Sequence, residues 1–492
     1  MSRPWAAPLL LCALGATWAW GIGQWYFLAD DFGLVQAWGR HEVRFWSEEL
    51  FGYYRPLAAV TFRLDYGLWG TDPAGYYATA LLLHLACALL VWRLALRVPS
   101  SPRAALWAAL LFLFLPGHGF AVLWLSARAD LLCTLFCLLA LLSKEMAASL
   151  PLLVLGWAAA TAPGPWRSRA ARAALSAAPY AAVLAAYLAV RHTLFGHLPA
   201  STVHSRPDLP NLLSSFVAYA ATVLSPWGLE ALRPWLHAHL FLAAPPVLAA
   251  LVGAAVLLWR RRASRPPGWL VPLLWIPLTL LPVLRLFSPW NTYLPSVGAA
   301  LLVPRLAQTA LCVCLAAGMA YSLHLEFEWR EGSRLVRSFL AEVRRTAPPG
   351  AAPLLVANAP SELRGVPVFG WTGGLESALA VTGGAGDVHT LASVRQASWA
   401  SSAEAAWVRP GVLRLSLSDP QDFFRVHTAE VVSGRVPAAV GYSYSVGAAL
   451  LRVARLDEQG RPVEFDVELG DAAAGARVCV WSNGRLLPVA GG

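Results

Sequence analysis

Apolar runs long enough to cross a bilayer recur between residues 5 and 323, and short segments that carry arginine separate them. About 20 residues of α-helix cross the hydrocarbon core of a membrane. The composition agrees, because 57% of the 492 residues are hydrophobic and only 13% are charged, whereas a soluble domain carries about 25% charged residues. The sequence therefore predicts an integral membrane protein and excludes disordered, coiled-coil and collagen-like chains.

The formal net charge of +10 does not indicate a nucleic-acid partner, because the basic residues form short clusters between the apolar runs. Such clusters are typical of the positive-inside pattern of membrane proteins. Lys144 is the single lysine of the chain, and the abundance of Ala, Arg, Gly and Pro is typical of a GC-rich genome. We therefore expect a bacterial inner membrane. The seven cysteines indicate neither a disulfide framework nor a metal site.

The apolar runs predict a mainly α fold, a polytopic transmembrane helical bundle over residues 1–325. The first run, 5–27, has no cleavage site of small residues and is interpreted as a retained span. In the polar outer loop that follows, 28–75, aromatic and basic residues at helical spacing indicate short helices on the outer membrane face. Further spans are predicted at 76–96, 104–125, 146–161, 173–190, 240–259, 269–284, 293–304 and 309–323, with 212–229 as a re-entrant or surface helix.

The composition changes sharply after the last predicted span. Charged residues over 326–349 predict an amphipathic connector helix, and residues 350–492 predict a small C-terminal β-rich extracytoplasmic domain, placed in the periplasm. Strands are expected at 411–416, 450–456 and 462–469, with hairpin turns at 458–460 and 482–484. We interpret this domain as a folding module, and acceptor recognition through tryptophans such as Trp399 and Trp481 is the alternative.

Two adjacent carboxylates, Asp30 and Asp31, begin the outer loop directly after the first apolar run. An apolar helix end makes both costly to desolvate, and their mutual repulsion is expected to raise at least one pKa. A carboxylate with a raised pKa suits a base that accepts a hydroxyl proton, and a carboxylate pair also suits a divalent cation. The alternative is an ordinary solvated pair at a helix end.

Arginine and histidine lie at other helix mouths and within the spans. The planar guanidinium of an arginine such as Arg128 binds two phosphate oxygens at once. Together with the acidic pair, this arrangement indicates a charged lipid headgroup. The alternatives are that His84 and His118 are hydrogen-bond donors between helices, and that Arg128 and Asp130 pair with one another.

Several short motifs follow one another in a specific order. They are Ala29-Asp30-Asp31-Phe32, Tyr54-Arg55-Pro56-Leu57, Leu82-Leu83-His84, then His118 followed by Trp124-Leu125-Ser126-Ala127-Arg128-Ala129-Asp130-Leu131-Leu132, Leu142-Ser143-Lys144-Glu145-Met146, and Tyr293-Leu294-Pro295-Ser296-Val297-Gly298. In this order they resemble the GT-C superfamily of polyprenyl-phosphate-sugar-dependent membrane glycosyltransferases, and within it the TMTC-type, protein O-mannosyltransferase-like branch. The resemblance covers residues 1–345.

The resemblance implies a hexosyltransferase that moves a sugar, with inversion, from a polyprenyl-phosphate-linked donor to a hydroxyl of a protein, lipid or glycan acceptor on the outer membrane face. In that family an acidic residue of the first outer loop is the general base, which corresponds here to Asp30 or Asp31. The resemblance leaves open whether Asp30 and Asp31 hold a divalent cation, Mg²⁺ or Mn²⁺. The residues expected by position to hold the donor phosphate are Arg55, Arg128, Lys144 and Arg285, and those expected to support the site are His84, His118, Asp130 and Glu145.

Two departures from the family pattern leave a second function open. Only residues 133–142 separate the Arg-Ala-Asp-Leu-Leu and Ser-Lys-Glu motifs, where the family usually has a further loop and span. Trp290, Asn291 and Thr292 stand where the family tends to have Glu-Arg-Tyr. The alternative is therefore a non-catalytic membrane scaffold of the same fold that binds envelope components through its outer domain.

Overall fold

The computed structural model of the chain describes most of the transmembrane region and of the C-terminal domain. The described residues are 6–40, 42–50, 53–97, 101–135, 148–196, 209–224, 245, 271–284, 288–302, 308–370, 373–419, 439–446, 449–469 and 476–490. Within them, three helices are long and apolar enough to span a membrane, namely Pro73–Leu96, Trp166–Phe195 and Gln308–Thr346. These helices support a membrane protein, whereas the predicted span at 240–259 lies almost wholly outside the described residues.

The helices of the described residues are given in chain order. They are α1 (Ala6–Gly15), α2 (Asp30–Leu34), α3 (Pro56–Trp69), α4 (Pro73–Arg97), α5 (Pro102–Leu113), α6 (Pro116–Leu123), α7 (Arg128–Leu135), α8 (Leu150–Thr161), α9 (Trp166–Phe195), α10 (Leu209–Leu224), α11 (Val271–Leu280), α12 (Ser296–Leu302), α13 (Gln308–Thr346) and α14 (Gly374–Thr382). Short 3-10 turns lie at Ala16–Gly21, Leu125–Ala127, Leu281–Val283 and Pro289–Thr292, and a π-helical turn lies at Val35–Gly39.

Three predicted spans differ from the observed helices for identifiable reasons. The first helical run ends at Gly21 and not at residue 27, because two glycines, Gly21 and Gly23, weaken the helix there. The predicted span at 104–125 is divided into α5 and α6, which are bent by 61°. The bend lies at Pro116, whose ring excludes a continued helix. The last predicted span and the connector helix are one continuous helix, α13, of 39 residues.

The described residues form two compact units, each assembled from separate segments of the chain. Unit 1 contains Met1–Ile22, Val43–Thr61 and Tyr76–Glu326, and unit 2 contains Gly23–Glu42, Phe62–Gly75 and Phe327–Gly492. The acidic pair therefore belongs to the same unit as the C-terminal strands. The domain boundaries drawn from the sequence, at 325 and 349, stay a prediction.

Unit 1 is built from apolar helices that approach closely where small residues allow it. A Cβ atom at Gly318 of α13 would lie 2.3 Å from the carbonyl oxygen of Phe114, so glycine permits this contact with the end of α5. At the end of α8, the guanidinium of Arg169 on α9 donates to the carbonyl oxygen of Ala159 at 3.0 Å. This bond satisfies a carbonyl that the helix end leaves without a helical partner and closes the α8–α9 hairpin.

The described residues of unit 2 form three β-sheets in addition to the polar half of α13. The strands are β1 (Leu354–Val356), β2 (Ala359–Leu363), β3 (Val366–Pro367), β4 (Val388–Thr390), β5 (Ser393–Gln396), β6 (Ala403–Arg409), β7 (Val412–Leu417), β8 (Ser443–Val446), β9 (Ala449–Leu456), β10 (Pro462–Leu469), β11 (Arg477–Ser482) and β12 (Arg485–Pro488). The sheet orders are β12-β11-β1-β4, β6-β7-β10-β9-β8 and β3-β2-β5. The predicted β-rich region and the three predicted strands are thus confirmed.

Alternating burial explains the five-stranded sheet. Leu413, Leu451 and Phe465 point into a shared apolar core, while Arg414 and Asp466 pair at 2.8 Å on the opposite face. Both predicted hairpin turns are present. At the β11–β12 turn, Asn483 and Gly484 have φ values of 50° and 74°, which suit a type I′ turn.

Candidate functional site

The two adjacent carboxylates occupy different environments at the start of α2. Asp31 is fully buried, and its Oδ2 accepts a hydrogen bond from the backbone N–H of Leu28 at 3.1 Å. Asp30 is partly exposed. Asp31 therefore stabilises the chain entry into the helix, whereas Asp30 keeps part of its surface exposed.

The pKa of Asp30 is strongly perturbed. Burial raises the pKa of this carboxyl to about 7, because a partly apolar environment disfavours its charged form. The sequence predicted a raised pKa from costly desolvation and from mutual repulsion of the two carboxylates, and the cause found for Asp30 is desolvation. A base with a pKa near neutrality combines sufficient ionisation with sufficient basicity at physiological pH.

The residue before the acidic pair has an unusual backbone conformation. Ala29 has φ 46° and ψ −116°, in the left-handed half of the φ/ψ plane that alanine rarely adopts. Backbone strain of this kind persists only where surrounding contacts maintain it, and it is concentrated at functional sites. The start of α2 is therefore fixed by tertiary contacts and not by local preference.

Arg55 and Arg128 both belong to unit 1 and differ in accessibility. The guanidinium of Arg55, just before α3, is partly exposed and lies 4.1 Å from the centre of the Tyr53 ring. Arg128, the first residue of α7, is fully buried and donates to the carbonyl oxygen of Tyr76 at 3.0 Å and to Thr61 Oγ1 at 3.5 Å. Arg128 thus links α7 to α3 and α4. Asp130, two residues later, is also buried.

His84 and His118 are both buried and both contact the motif at 293–298. His84 Nε2 lies 3.1 Å from the carbonyl oxygen of Leu113, which can only accept, so Nε2 carries the proton. His84 Nδ1 then accepts a hydrogen bond from the Tyr293 hydroxyl at 2.6 Å. Because the Ser296 hydroxyl donates to the carbonyl oxygen of Tyr293, His118 Nε2 donates to Ser296 Oγ at 2.7 Å. These bonds agree with the alternative that both histidines connect helices.

We expect Tyr293→Phe to lower the free energy of unfolding by about 1–3 kcal/mol, because it leaves the buried Nδ1 of His84 without its donor. Thermal unfolding of the detergent-solubilised protein measures this loss. Tyr180→Phe on α9 is the matched control, since the Tyr180 hydroxyl makes no hydrogen bond to the described residues. Equal stability of the two variants would contradict the hydrogen-bond assignment.

A second buried arginine of unit 1 is not among the site residues predicted from the sequence. Arg191, near the end of α9, is 1% exposed and forms an ion pair with Glu49 of the outer loop. Its guanidinium lies 5.7 Å from the ring of Phe195, which is edge-on to Tyr54. The sequence signal for Arg191 is its place directly after the apolar run at 173–190. Arg128, which was predicted as a site residue, likewise lies near the end of an apolar run.

A cavity of about 500 Å³ lies in the helical region of unit 1. Apolar side chains of α4, α8 and α11 and of the 293–298 motif form most of its described lining, including Leu90, Leu153 and Trp275. Arg93 is the charged residue among the described lining residues. Cavities of this size hold small-molecule and lipid ligands.

Three of the predicted site residues lie outside the described residues, namely Lys144, Glu145 and Arg285. Among the residues that are described, no group of three or more His, Cys, Asp or Glu side chains could hold a metal ion. Asp30 and Asp31 thus have no third His, Cys, Asp or Glu ligand within the described part of the chain, and the Mg²⁺ or Mn²⁺ ion considered from the sequence stays a prediction.

Comparisons with known proteins give local similarity to one group. The chain is 36% identical over 134 residues, 23% of this chain and 18% of the relative, to protein O-mannosyl-transferase TMTC4 of Mus musculus. It is 39% identical over 103 residues, 18% of this chain and 14% of the relative, to the TMTC4 protein of Homo sapiens. With protein O-mannosyl-transferase Tmtc1 of Drosophila melanogaster it shares 39% identity over 92 residues, 19% of this chain and 11% of the relative.

These alignments span less than one fifth of the length of each relative. No protein-family model matches the chain. No solved structure matches it either. The similarity therefore connects part of this chain with the TMTC-type proteins.

Proposed function

We propose that this protein is a membrane glycosyltransferase that moves a sugar from a polyprenyl-phosphate-linked donor to an acceptor hydroxyl, with inversion at the anomeric carbon. The observation that carries the proposal is Asp30, a partly exposed carboxyl with a pKa of about 7 at a strained and fixed helix start. The local similarity to proteins named protein O-mannosyl-transferases supports the same reaction class.

In the proposed reaction, the acceptor oxygen attacks the anomeric carbon from the face opposite the phosphate. The bond between that carbon and the phosphate oxygen breaks, and the polyprenyl phosphate leaves with the bonding electrons. Asp30 accepts the hydroxyl proton as the new glycosidic bond forms and then releases it to water. Fixed cations near the leaving phosphate would stabilise its developing charge, and Arg55, Arg128, Lys144 and Arg285 stay the predicted candidates for this role.

The donor tail and the cellular location are also part of the proposal. An isoprenoid chain is apolar and would suit the cavity of about 500 Å³ in unit 1. We propose the bacterial inner membrane as the location, with the transfer and the C-terminal domain on the periplasmic side. A protein hydroxyl is the acceptor that the names of the relatives favour, and lipid or glycan hydroxyls are the alternatives.

Reconstituted transfer tests the proposal. The full chain is purified, inserted into phospholipid vesicles, and given polyprenyl-phosphate [³H]mannose together with membranes from source cells that lack this gene, which supply the native acceptor. We expect tritium to move into the protein fraction and an equal amount of polyprenyl phosphate to appear. GDP-[³H]mannose is the control donor, and no label should move from it.

Two other outcomes are informative. Label in the lipid or glycan fraction would keep the reaction and correct the acceptor. No consumption of mannosyl, glucosyl or N-acetylglucosaminyl polyprenyl phosphate, from a protein that is folded by its thermal unfolding curve, would overturn the enzyme in favour of the non-catalytic scaffold.

A further inference from the structure

The backbone just before Asp30 is bonded to a segment of the C-terminal domain, and all of these residues belong to unit 2. The N–H of Ala29 donates to the carbonyl oxygen of Val368 at 2.7 Å. This is the residue whose φ of 46° is unfavourable for alanine. Since Asp30 follows directly, the bond to Val368 helps to determine where its carboxylate points.

The segment 368–370 approaches Ala29 closely at a glycine, where a side chain would be crowded. A Cβ atom at Gly370 would lie 3.1 Å from the Cβ atom of Ala29, closer than side chains normally pack, and Gly370 has a φ of +65°. The segment itself is held by strand β2, because the N–H groups of Val368 and Gly370 donate to the carbonyl oxygen of Ser361 at 2.8 and 3.0 Å.

The segment 24–40, called here the acidic segment because it contains Asp30 and Asp31, is also held at its C-terminal end. Arg40, directly after the π-helical turn, donates to the carbonyl oxygens of Ala380 and Val381, both at 2.8 Å. These carbonyls lie in the last turn of α14, where the helix offers them no backbone partner. Between the two ends, the ring of Phe32 stacks on the ring of Phe369 at 6.4 Å.

Two contacts with α13 complete the support on the side of the first apolar run. The N–H of Tyr26 donates to Ser333 Oγ at 3.0 Å. The guanidinium of Arg337 donates to the carbonyl oxygen of Gln24 and lies 5.5 Å from the centre of the Tyr26 ring. The acidic segment is thus fixed before and after Asp30 by residues 333–381.

We propose that the C-terminal domain is a positioning element for Asp30, and that residues 368–370 with the last turn of α14 form a cradle that sets the direction of its carboxylate. Gly370 is the positioning residue on which the cradle depends most, because any side chain there displaces Ala29. The proposal rests on the function of Asp30 as the general base. It gives the domain a part in the reaction beyond the folding or acceptor-binding module expected from the sequence.

Gly370→Ala tests the cradle, with a matched control and a compensating change. Gly365→Ala is the control, because Gly365 has a φ of +89° in the adjacent β2–β3 turn and a Cβ there meets no atom within 4 Å. Both substitutions thus strain the backbone in the same domain, and only one pushes on Ala29. The double variant Ala29→Gly/Gly370→Ala is the compensating change. It removes the Cβ atom of residue 29, which the new methyl group at residue 370 would otherwise displace.

For transfer from polyprenyl-phosphate mannose, we expect Gly370→Ala to lower kcat by about 10- to 100-fold, because small displacements of a catalytic group have effects of this size. The donor KM should stay unchanged, Gly365→Ala should keep kcat within about twofold of the wild type, and the double variant should recover most of the loss. A general loss of folding would lower the activity of both alanine variants and would not be repaired by Ala29→Gly.

A second measurement does not depend on transfer. Carbodiimide labelling of Asp30, quantified by mass spectrometry on the protein without donor, reports the exposure and protonation of this carboxyl. We expect labelling at pH 7 to change at least twofold in Gly370→Ala and to return to the wild-type level in the double variant. Unchanged labelling and unchanged kcat in Gly370→Ala would overturn the cradle. Changed and restored labelling in a protein that transfers no sugar would keep the cradle and overturn the proposed reaction.

Discussion

Asp30→Asn is expected to lower the rate of sugar transfer by about 10²- to 10⁴-fold, the usual contribution of a general base. The amide keeps the shape of the carboxyl but cannot accept the proton of the acceptor hydroxyl. The measurement is the initial rate of polyprenyl-phosphate release from the reconstituted protein. A variant that keeps more than a third of the wild-type rate would exclude Asp30 as the base.

The pH dependence of transfer separates Asp30 from its neighbour. Because the pKa of Asp30 is raised to about 7, kcat/KM of the wild type should rise with pH and level off above about pH 7. In Asp30→Asn, this rise of kcat/KM with pH should disappear. Asp31→Asn should keep the rise but should lower the melting temperature, because the buried Asp31 carboxylate accepts a hydrogen bond from the N–H of Leu28.

The same carboxyl predicts how stability depends on pH. The folded-state pKa of about 7 exceeds the ordinary aspartate value of about 4, so between these pH values the folded state binds a proton that the unfolded state has released. The contribution of Asp30 is therefore fully present below about pH 4 and is lost as the pH rises to 7. As the pH rises from 5 to 8, the melting temperature of the wild type should therefore fall relative to that of Asp30→Asn.

The second large effect is expected at the buried ion pair of unit 1. Arg191→Met should lower the free energy of unfolding by about 3 kcal/mol, because it removes the buried guanidinium that pairs with the mostly buried carboxylate of Glu49. Denaturant or thermal unfolding in detergent measures the loss. The double variant Arg191→Met/Glu49→Gln should recover part of it, since the mostly buried carboxylate charge is then removed together with its cation.

An exposed ion pair supplies the control for this prediction. Arg345 and Glu342 pair on α13 at 2.6 Å, and the Arg345 side chain is 69% exposed. Exposed pairs contribute little to stability, so Arg345→Met should leave the melting temperature almost unchanged. If Arg191→Met were as stable as Arg345→Met, the assignment of a structural role to the buried pair would be wrong.

The apolar helices could be predicted from the sequence because their signal is local. The span predicted at 76–96 is α4, Pro73–Arg97, and the span predicted at 173–190 lies within α9, Trp166–Phe195. The division at Pro116 could have been predicted from the proline itself. The length of α13 was missed because its second half is polar, although no proline interrupts the helical pattern up to Thr346.

The sequence indicates which residue types form the candidate site, but it does not indicate which other residues they contact. The adjacent carboxylates mark Asp30 and Asp31 in the sequence, yet nothing local indicates that one is buried and bonded while the other is partly exposed. The contact of Ala29 with Val368 joins distant parts of the chain and leaves no periodic pattern. The hydrogen bonds of His84 and His118 to Tyr293 and Ser296 were likewise beyond sequence reasoning, although all four residues had been singled out.

The fixing of the acidic segment by residues 333–381 has a consequence for biosynthesis. The partner of Arg40, Ala380, lies 340 residues later in the chain. A ribosome that adds about 5–20 residues per second needs roughly 17 to 70 seconds to synthesise this stretch. Until then the segment around Asp30 lacks the contacts that maintain its conformation. A nascent or prematurely terminated chain that ends before residue 380 would therefore insert its first helices without the fixed position of Asp30 that the proposed reaction requires.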